Sequence, residues 1–499
     1  MSFFYHIRRR LLQKTLFSHT PVIDTFKHAE IAEWALFDRI KIADQRNNAS
    51  KTIEYNDIQE ITKKNAQNKI ILDGYQLTET SIFDAIASLS QQGGELLIPQ
   101  GRIIFTSSIY IPSHVSIIGI EGKTDFVFTD VEYGIIVEGS SEKPIIQASV
   151  KNIRIFHEGD RRFCAAILVT HTAGISFDNI DIISPRSIGF LLSDRVRETR
   201  FNHCRVFAAG LVGFMLIRDV RETLLQNCTA EYCQQSGLFL TDLKLPENVA
   251  PLDFDAQLHY TNHEIGNFAP FSCNDPSPYR TDIINCVFTH NRKMGITTDG
   301  VGYLSVKNTV IAHNDCEGIT IDNGSWGCLI QNCHIFNNGW RGRQSQEELG
   351  IDFVEKLGLM ADGSSKAKLP GISIDNAIYT RIENNHIEAN WGDGIKLVRA
   401  GVNSSINHNL VENNNRGVND KFHFFGILVG VAPRQHPDQY DFPSCNNHIF
   451  ANDILGAHFA GIHLMHGARG NRIVDNYIVG ATFEAIEDHV RSGNLIQSP

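Results

Sequence analysis

The run Gly295-Ile296-Thr297-Thr298-Asp299 returns as Gly318-Ile319-Thr320-Ile321-Asp322 and again as Gly371-Ile372-Ser373-Ile374-Asp375. The same phrase, a Gly followed by alternating apolar residues and a polar stop, begins at Gly189, Gly213, Gly237, Gly394, Gly426 and Gly461, with a weak last copy near Ala485. Uninterrupted spacings are 24 residues (Gly189 to Gly213, Gly213 to Gly237) and 23 residues (Gly295 to Gly318, Gly371 to Gly394). Each unit carries a further short alternating run with Asn and Cys, such as CLIQNCHIFNN from Cys328. A period near 23 with short strands and no helical pattern fits one coil of a parallel β-helix, and the Leu-x-x-Leu-x-Leu frame of leucine-rich repeats is missing.

Stacked coils turn sequence columns into spatial columns about 4.8 Å apart. The inward column after each Gly reads Ile296, Ile319, Ile372, Ile395, Ile427 and Ile462. Asn202, Asn227, Asn285, Asn308, Asn332, Asn384 and Asn407 form a corner column, because Asn tolerates left-handed geometry and bonds nearby backbone. Cys204, Cys228, Cys286 and Cys333 lie beside it and read as small buried hydrophobes, not metal ligands.

The chain has 499 residues, too many for one compact two-layer core but natural for a solenoid whose core grows along one axis. Its 45 Lys+Arg against 56 Asp+Glu leave a net charge of −11, which argues against a nucleic-acid binder. No apolar run is long enough for a membrane span. The ten Cys are not spaced as a disulfide scaffold, and Arg8, Arg9 and Arg10 followed by Gln13 and Lys14 do not form a Sec-type signal. A reducing cytoplasm is therefore expected. The basic opening reads as a solvated arm, with peripheral contact to anionic membrane as the alternative.

Residues 71–120 add a loop, one amphipathic helix, a Gly-Gly turn and successive short strands. Here Gly93, Gly94, Glu95, Leu96, Ile98, Pro99, Gly101, Ile111, Pro112, Ser113, Val115 and Gly119 match the opening of the pectate-lyase-like superfamily, which this sequence resembles. The resemblance implies an all-β, right-handed parallel β-helix over residues 71–499, with a short helix capping the open strand edges. It does not choose a reaction, because the scaffold hosts lyases, hydrolases, epimerases and tailspikes. Residues 1–70 form a separate N-terminal extension.

With the glycines as origin, the second and fourth following residues point away from the core. The fourth-position column holds Asp299, Asp322 and Asp375, three carboxylates on successive coils. Folding does not call for that arrangement, so it marks a candidate site; the alternative is that Asp merely ends each strand. The second-position column holds Thr297, Thr320, Ser373, Lys396, Leu428 and His463. Insertions near 242–280 and 431–444 leave the carboxyl end of this strand, and those near 339–369 and 415–425 arrive at its amino end. All four flank one face, and loops raised on both sides of a rigid sheet make a groove.

Asp299, Asp322, Asp375, Lys396 and His463 are the catalytic candidates, and Trp340, Arg341, Arg343, Trp391, Lys421 and His423 the substrate-binding ones. Aromatic faces stack on sugar rings, and Arg grips carboxylates. His259, His263 and Glu264 do not follow the zinc-protease order His-Glu-x-x-His, so no metal is assigned there. No cofactor is implied, calcium on the Asp stack being the exception.

The expected ligand is a polysaccharide or oligosaccharide, acidic if Lys and Arg face it. The favoured chemistry is glycosidic cleavage by stacked aspartates. Uronate lyase or C5-epimerase chemistry, which needs a base and a carboxylate-neutralising cation, is the alternative. The polygalacturonase motifs and the Asp-Pro-His-Asp motif of alginate epimerases are absent. A non-catalytic glycan-binding or tailspike-like role, in which the chain could also oligomerise, stands as the third reading.

Overall fold

The computed structural model describes residues 68–74, 77–158, 164–241, 278–322, 324–340, 369–398, 401–416, 423–430, 444–456, 458–465, 468–488 and 493–497. The repeat folds as the period requires. Three short strands make each coil, and each pairs in parallel with its counterpart in the next. In one coil these are Ile319–Asp322, Leu329–Gln331 and His334–Phe336; in the next they are Ile372–Asp375, Arg381–Glu383 and His386–Glu388. Ile319 faces Ile372, Leu329 faces Arg381 and His334 faces His386. The three stacks are called the first, second and third sheets below. No helix among the described residues is long and apolar enough to cross a membrane.

The predicted inward column is the core. Ile296, Ile319, Ile372, Ile395, Ile427 and Ile462 are consecutive partners and fully buried. Each such side chain stabilises the fold by roughly 1.5–3 kcal/mol relative to exposure. The helix Glu79–Leu89 closes one end, burying Ile82, Ala85, Ile86 and Leu89. Its start is fixed by a capping box in which Ser81 N donates to Thr78 Oγ1 (3.2 Å) and Thr78 N to Ser81 Oγ (3.0 Å).

The recurrent Gly has a steric cause. It lies where the chain turns into the first sheet, and a Cβ on Gly394 would sit 2.6 Å from Val411 Cγ1 of the third sheet. On Gly295 the corresponding contact is 2.5 Å, with Ile311 Cγ2.

The asparagine corner needs one correction. Asn227, Asn285, Asn308, Asn332 and Asn384 take left-handed φ between 51° and 56°, but Asn202 and Asn407 each precede that position, which His203 and His408 occupy. Register explains the shift, since Asn202 pairs with Gln226 and Asn407 with Glu383.

The structure also shows interior asparagine ladders that the sequence reading missed. Asn291, Asn314, Asn338, Asn390 and Asn414 are fully buried, and each side-chain amide donates to the next Oδ1 at 2.8–3.0 Å. Each Oδ1 also accepts the backbone N–H one coil back, as Asn338 Oδ1 does from Asn314 N at 3.1 Å. Asn385, Asn409, Asn452 and Asn476 repeat the device at a second corner. The cysteines begin this second column: Cys204, Cys228, Cys286 and Cys333 are buried free thiols, and Cys333 N donates to Asn385 Oδ1. Burial pushes the thiols of Cys228 and Cys333 well up.

Candidate functional site

The outward face of the first sheet carries the candidate residues. Asp299, Asp322 and Asp375 are direct register partners on three consecutive strands. They do not all face solvent as expected. Asp299 is only 7% exposed and accepts from Thr241 Oγ1 at 3.1 Å, because Thr241 precedes it in the same column. Asp322 and Asp375 are half-buried. Thr320, at the second position, is also buried.

The second-position column runs Ser373, Lys396, Leu428, His463 and then Glu487 in unbroken register. His463 Nδ1 lies 2.5 Å from Glu487 Oε2, and both side chains are nearly buried. The Phe425 ring stacks on the His463 imidazole at 4.2 Å and 11°. His423 stacks on Phe459 (4.3 Å), and Phe459 on the exposed Phe483 (4.9 Å), so five rings line this end of the face.

Just ahead of the Gly of its strand, Asp393 is 6% exposed and accepts from Phe425 N at 2.8 Å. Burial raises its carboxyl to about 6, against the downward pull of Lys396 and of the hydrogen bond from Phe425. A carboxyl group there can hold or release a proton near neutral pH.

The tryptophans occupy the corner leading into the first sheet. Trp340 Nε1 donates to Asp315 Oδ1 at 2.6 Å, which ties the indole down. Trp391 has the Arg416 guanidinium over its ring at 5.2 Å. Arg341, Arg343 and Lys421, like His259, His263 and Glu264, lie outside the described residues. The described chain is interrupted after Thr241 and Gly430, at carboxyl ends of first-sheet strands, and between 340 and 369 and between 416 and 423, ahead of their amino ends. The insertions therefore attach on both sides of this face.

Sequence reasoning missed Asp393, Phe425, Phe459 and Glu487. Extending the His463 column one coil into the weak last repeat finds Glu487. Asp393 and Phe425 share the position immediately before the repeat Gly, a third column that alternation alone does not mark as outward.

A family model described as the right handed beta helix region matches residues 277–483. The described residues from 68 onward form a right-handed parallel β-helix. Among solved structures this β-helix is similar to the A-module of a mannuronan C-5 epimerase from Azotobacter vinelandii, at 13% identity and a TM-score of 0.53, covering 84% of this chain and 94% of that one. It is similar also to the catalytic domain of a GH87 alpha-1,3-glucanase in complex with tetrasaccharides, at 12% identity and a TM-score of 0.54, covering 86% and 69%. At these identities the β-helix shares their fold. No curated protein matches its sequence.

Proposed function

We propose that the outward face of the first sheet binds a polysaccharide and that Asp322 and Asp375 cleave its glycosidic bonds. The observation that carries this reading is their direct register partnership, which sets the strands about 4.8 Å apart. Retaining glycosidases hold their carboxyl pair about 5–5.5 Å apart, one as acid and the other as nucleophile. Asp299, buried and held by Thr241, would fix the far end of the row. Phe425, stacked over His463, and the exposed Phe483 offer flat apolar surface to sugar rings, and Lys396 offers a cation to an acidic one.

A second reading, proton abstraction beside a uronate carboxyl group, is favoured by the His463–Glu487 pair in one column with Lys396. The two fold neighbours act, by their names, on mannuronan and on an alpha-1,3-glucan, so the scaffold accommodates either chemistry.

The deciding experiment incubates the full chain with neutral and acidic polysaccharides and follows both new reducing ends and the ultraviolet absorbance of unsaturated uronate. Reducing ends without absorbance, lost in Asp322→Asn with ligand affinity retained, support cleavage by the aspartates. Absorbance, or turnover unchanged in Asp322→Asn, overturns it.

A further inference from the structure

The third sheet carries a different cluster, apart from the proposed groove. Its outward columns read Val310, His334, His386, Leu410 and, two residues along each strand, Ala312, Phe336, Glu388, Glu412, Leu455. Two imidazoles and two carboxylates thus form a block framed by Val310, Phe336, Leu410 and Leu455. His334 Nε2 is 2.8 Å from Glu388 Oε1, and His386 Nε2 is 2.8 Å from Glu412 Oε1 and 3.7 Å from Glu388 Oε2. The His334 and His386 rings stack at 4.7 Å and 9°, so both nitrogens turn to the same side. One donor atom from each of His334, His386 and Glu388 lies within 4.8 Å of the other two.

Glu388 and Glu412 are adjacent partners, and like charges directly opposite in a sheet destabilise it. Among the described residues neither pairs with Lys or Arg; Glu388 turns to both imidazoles and Glu412 to His386. We propose that His334, His386 and Glu388 bind a divalent cation of the zinc class. Two imidazoles and a carboxylate form a zinc ligand set, and metal–ligand bonds of about 2.0–2.2 Å place tetrahedral ligands roughly 3.4 Å apart. The observed 2.8 and 3.7 Å bracket that spacing, so small side-chain rotations close the site. Glu412, hydrogen-bonded to His386, lies outside that set of three, so the fourth position is left to solvent. The cation's charge offsets the repulsion between the paired glutamates. Both imidazoles are more than a third exposed, so the site is open to a metal from solution.

The test is isothermal titration calorimetry of the chelator-treated full chain with zinc chloride, repeated on His386→Ala and Glu388→Gln. The proposal expects wild-type binding that both variants weaken at least tenfold, with unchanged circular dichroism. It also expects cobalt(II) to give the intense visible absorption of a four-coordinate ion in the wild type and not in the variants. Absence of zinc binding, or equal stoichiometry and affinity in wild type and Glu388→Gln, overturns the site. Glu388→Gln keeps the shape of the side chain, so this arm stands even if His386→Ala fails to fold.

Discussion

His463 Nδ1 sits 2.5 Å from Glu487 Oε2, two nearly buried groups on a sheet face that otherwise looks outward. A carboxylate beside Nδ1 leaves Nε2 as the nitrogen for chemistry. Glu487→Gln keeps the shape and removes the charge. If His463 moves a proton in turnover, kcat should fall on the order of 10²-fold with KM nearly unchanged. Steady-state kinetics check this, and an unchanged kcat would leave the pair a purely structural one.

The two kinds of asparagine column differ in energy. Asn314 sits in a buried ladder where Oδ1 accepts from Asn291 and Nδ2 donates to Phe288 O and Asn338 Oδ1. Asn314→Ala strands several buried groups at about 1–3 kcal/mol each, so a loss of about 3–5 kcal/mol is expected in urea unfolding. Asn308 is exposed and serves through its left-handed φ of 51°. Asn308→Ala should cost only about 1–2 kcal/mol. Equal costs would erase the distinction.

That difference shows what the sequence could and could not reveal. The Gly period and the Ile column disclosed the coils, because an inward residue repeats at each coil whatever the loops do. Asn291, Asn314 and Asn338 stayed hidden because each follows another polar residue, His290, His313 and Asn337 respectively. Composition does not say which of the two turns inward. The outward columns were readable as lines, and the aspartates indeed stack. Alternation could not say that Asp299 is covered, nor that Asp393 and Phe425 approach the same end of the face, since both depend on packing between coils.

His458 ends the Asn414 ladder, its Nε2 accepting from Asn414 N at 3.2 Å, and burial lowers its pKa to about 4 from an ordinary 6.5. Between those values the unfolded chain binds the proton and the fold does not, so His458 removes stability as pH falls from about 6.5 to 4. Asp393 acts in the opposite sense. Its carboxyl, raised to about 6 from 3.8, contributes stability in acid that is lost as pH rises through about 6. His458→Asn presents an oxygen to Asn414 N and does not titrate. Urea unfolding at pH 7 and pH 4 should show the variant gaining on wild type by about 3 kcal/mol at the lower pH. A parallel loss in both proteins would place the acid sensitivity elsewhere, His157 being the next buried imidazole.

The repeat Gly is expected to fail by collision, not by dihedral strain. In Gly394→Ala the new Cβ meets Val411 Cγ1 at 2.6 Å and Gly426 O at 2.7 Å, so overpacking should cost about 1–3 kcal/mol. Gly324, with φ of 82° and open space around its Cβ, should lose about 1–2 kcal/mol on change to Ala from backbone strain alone. Val411→Ala removes one of the two obstructions at Gly394. The double variant Gly394→Ala with Val411→Ala should therefore be more stable than the sum of its single costs, and a double-mutant cycle by urea unfolding measures the coupling. Strict additivity would mean that Val411 yields freely and that the carbonyl of Gly426 alone demands the glycine.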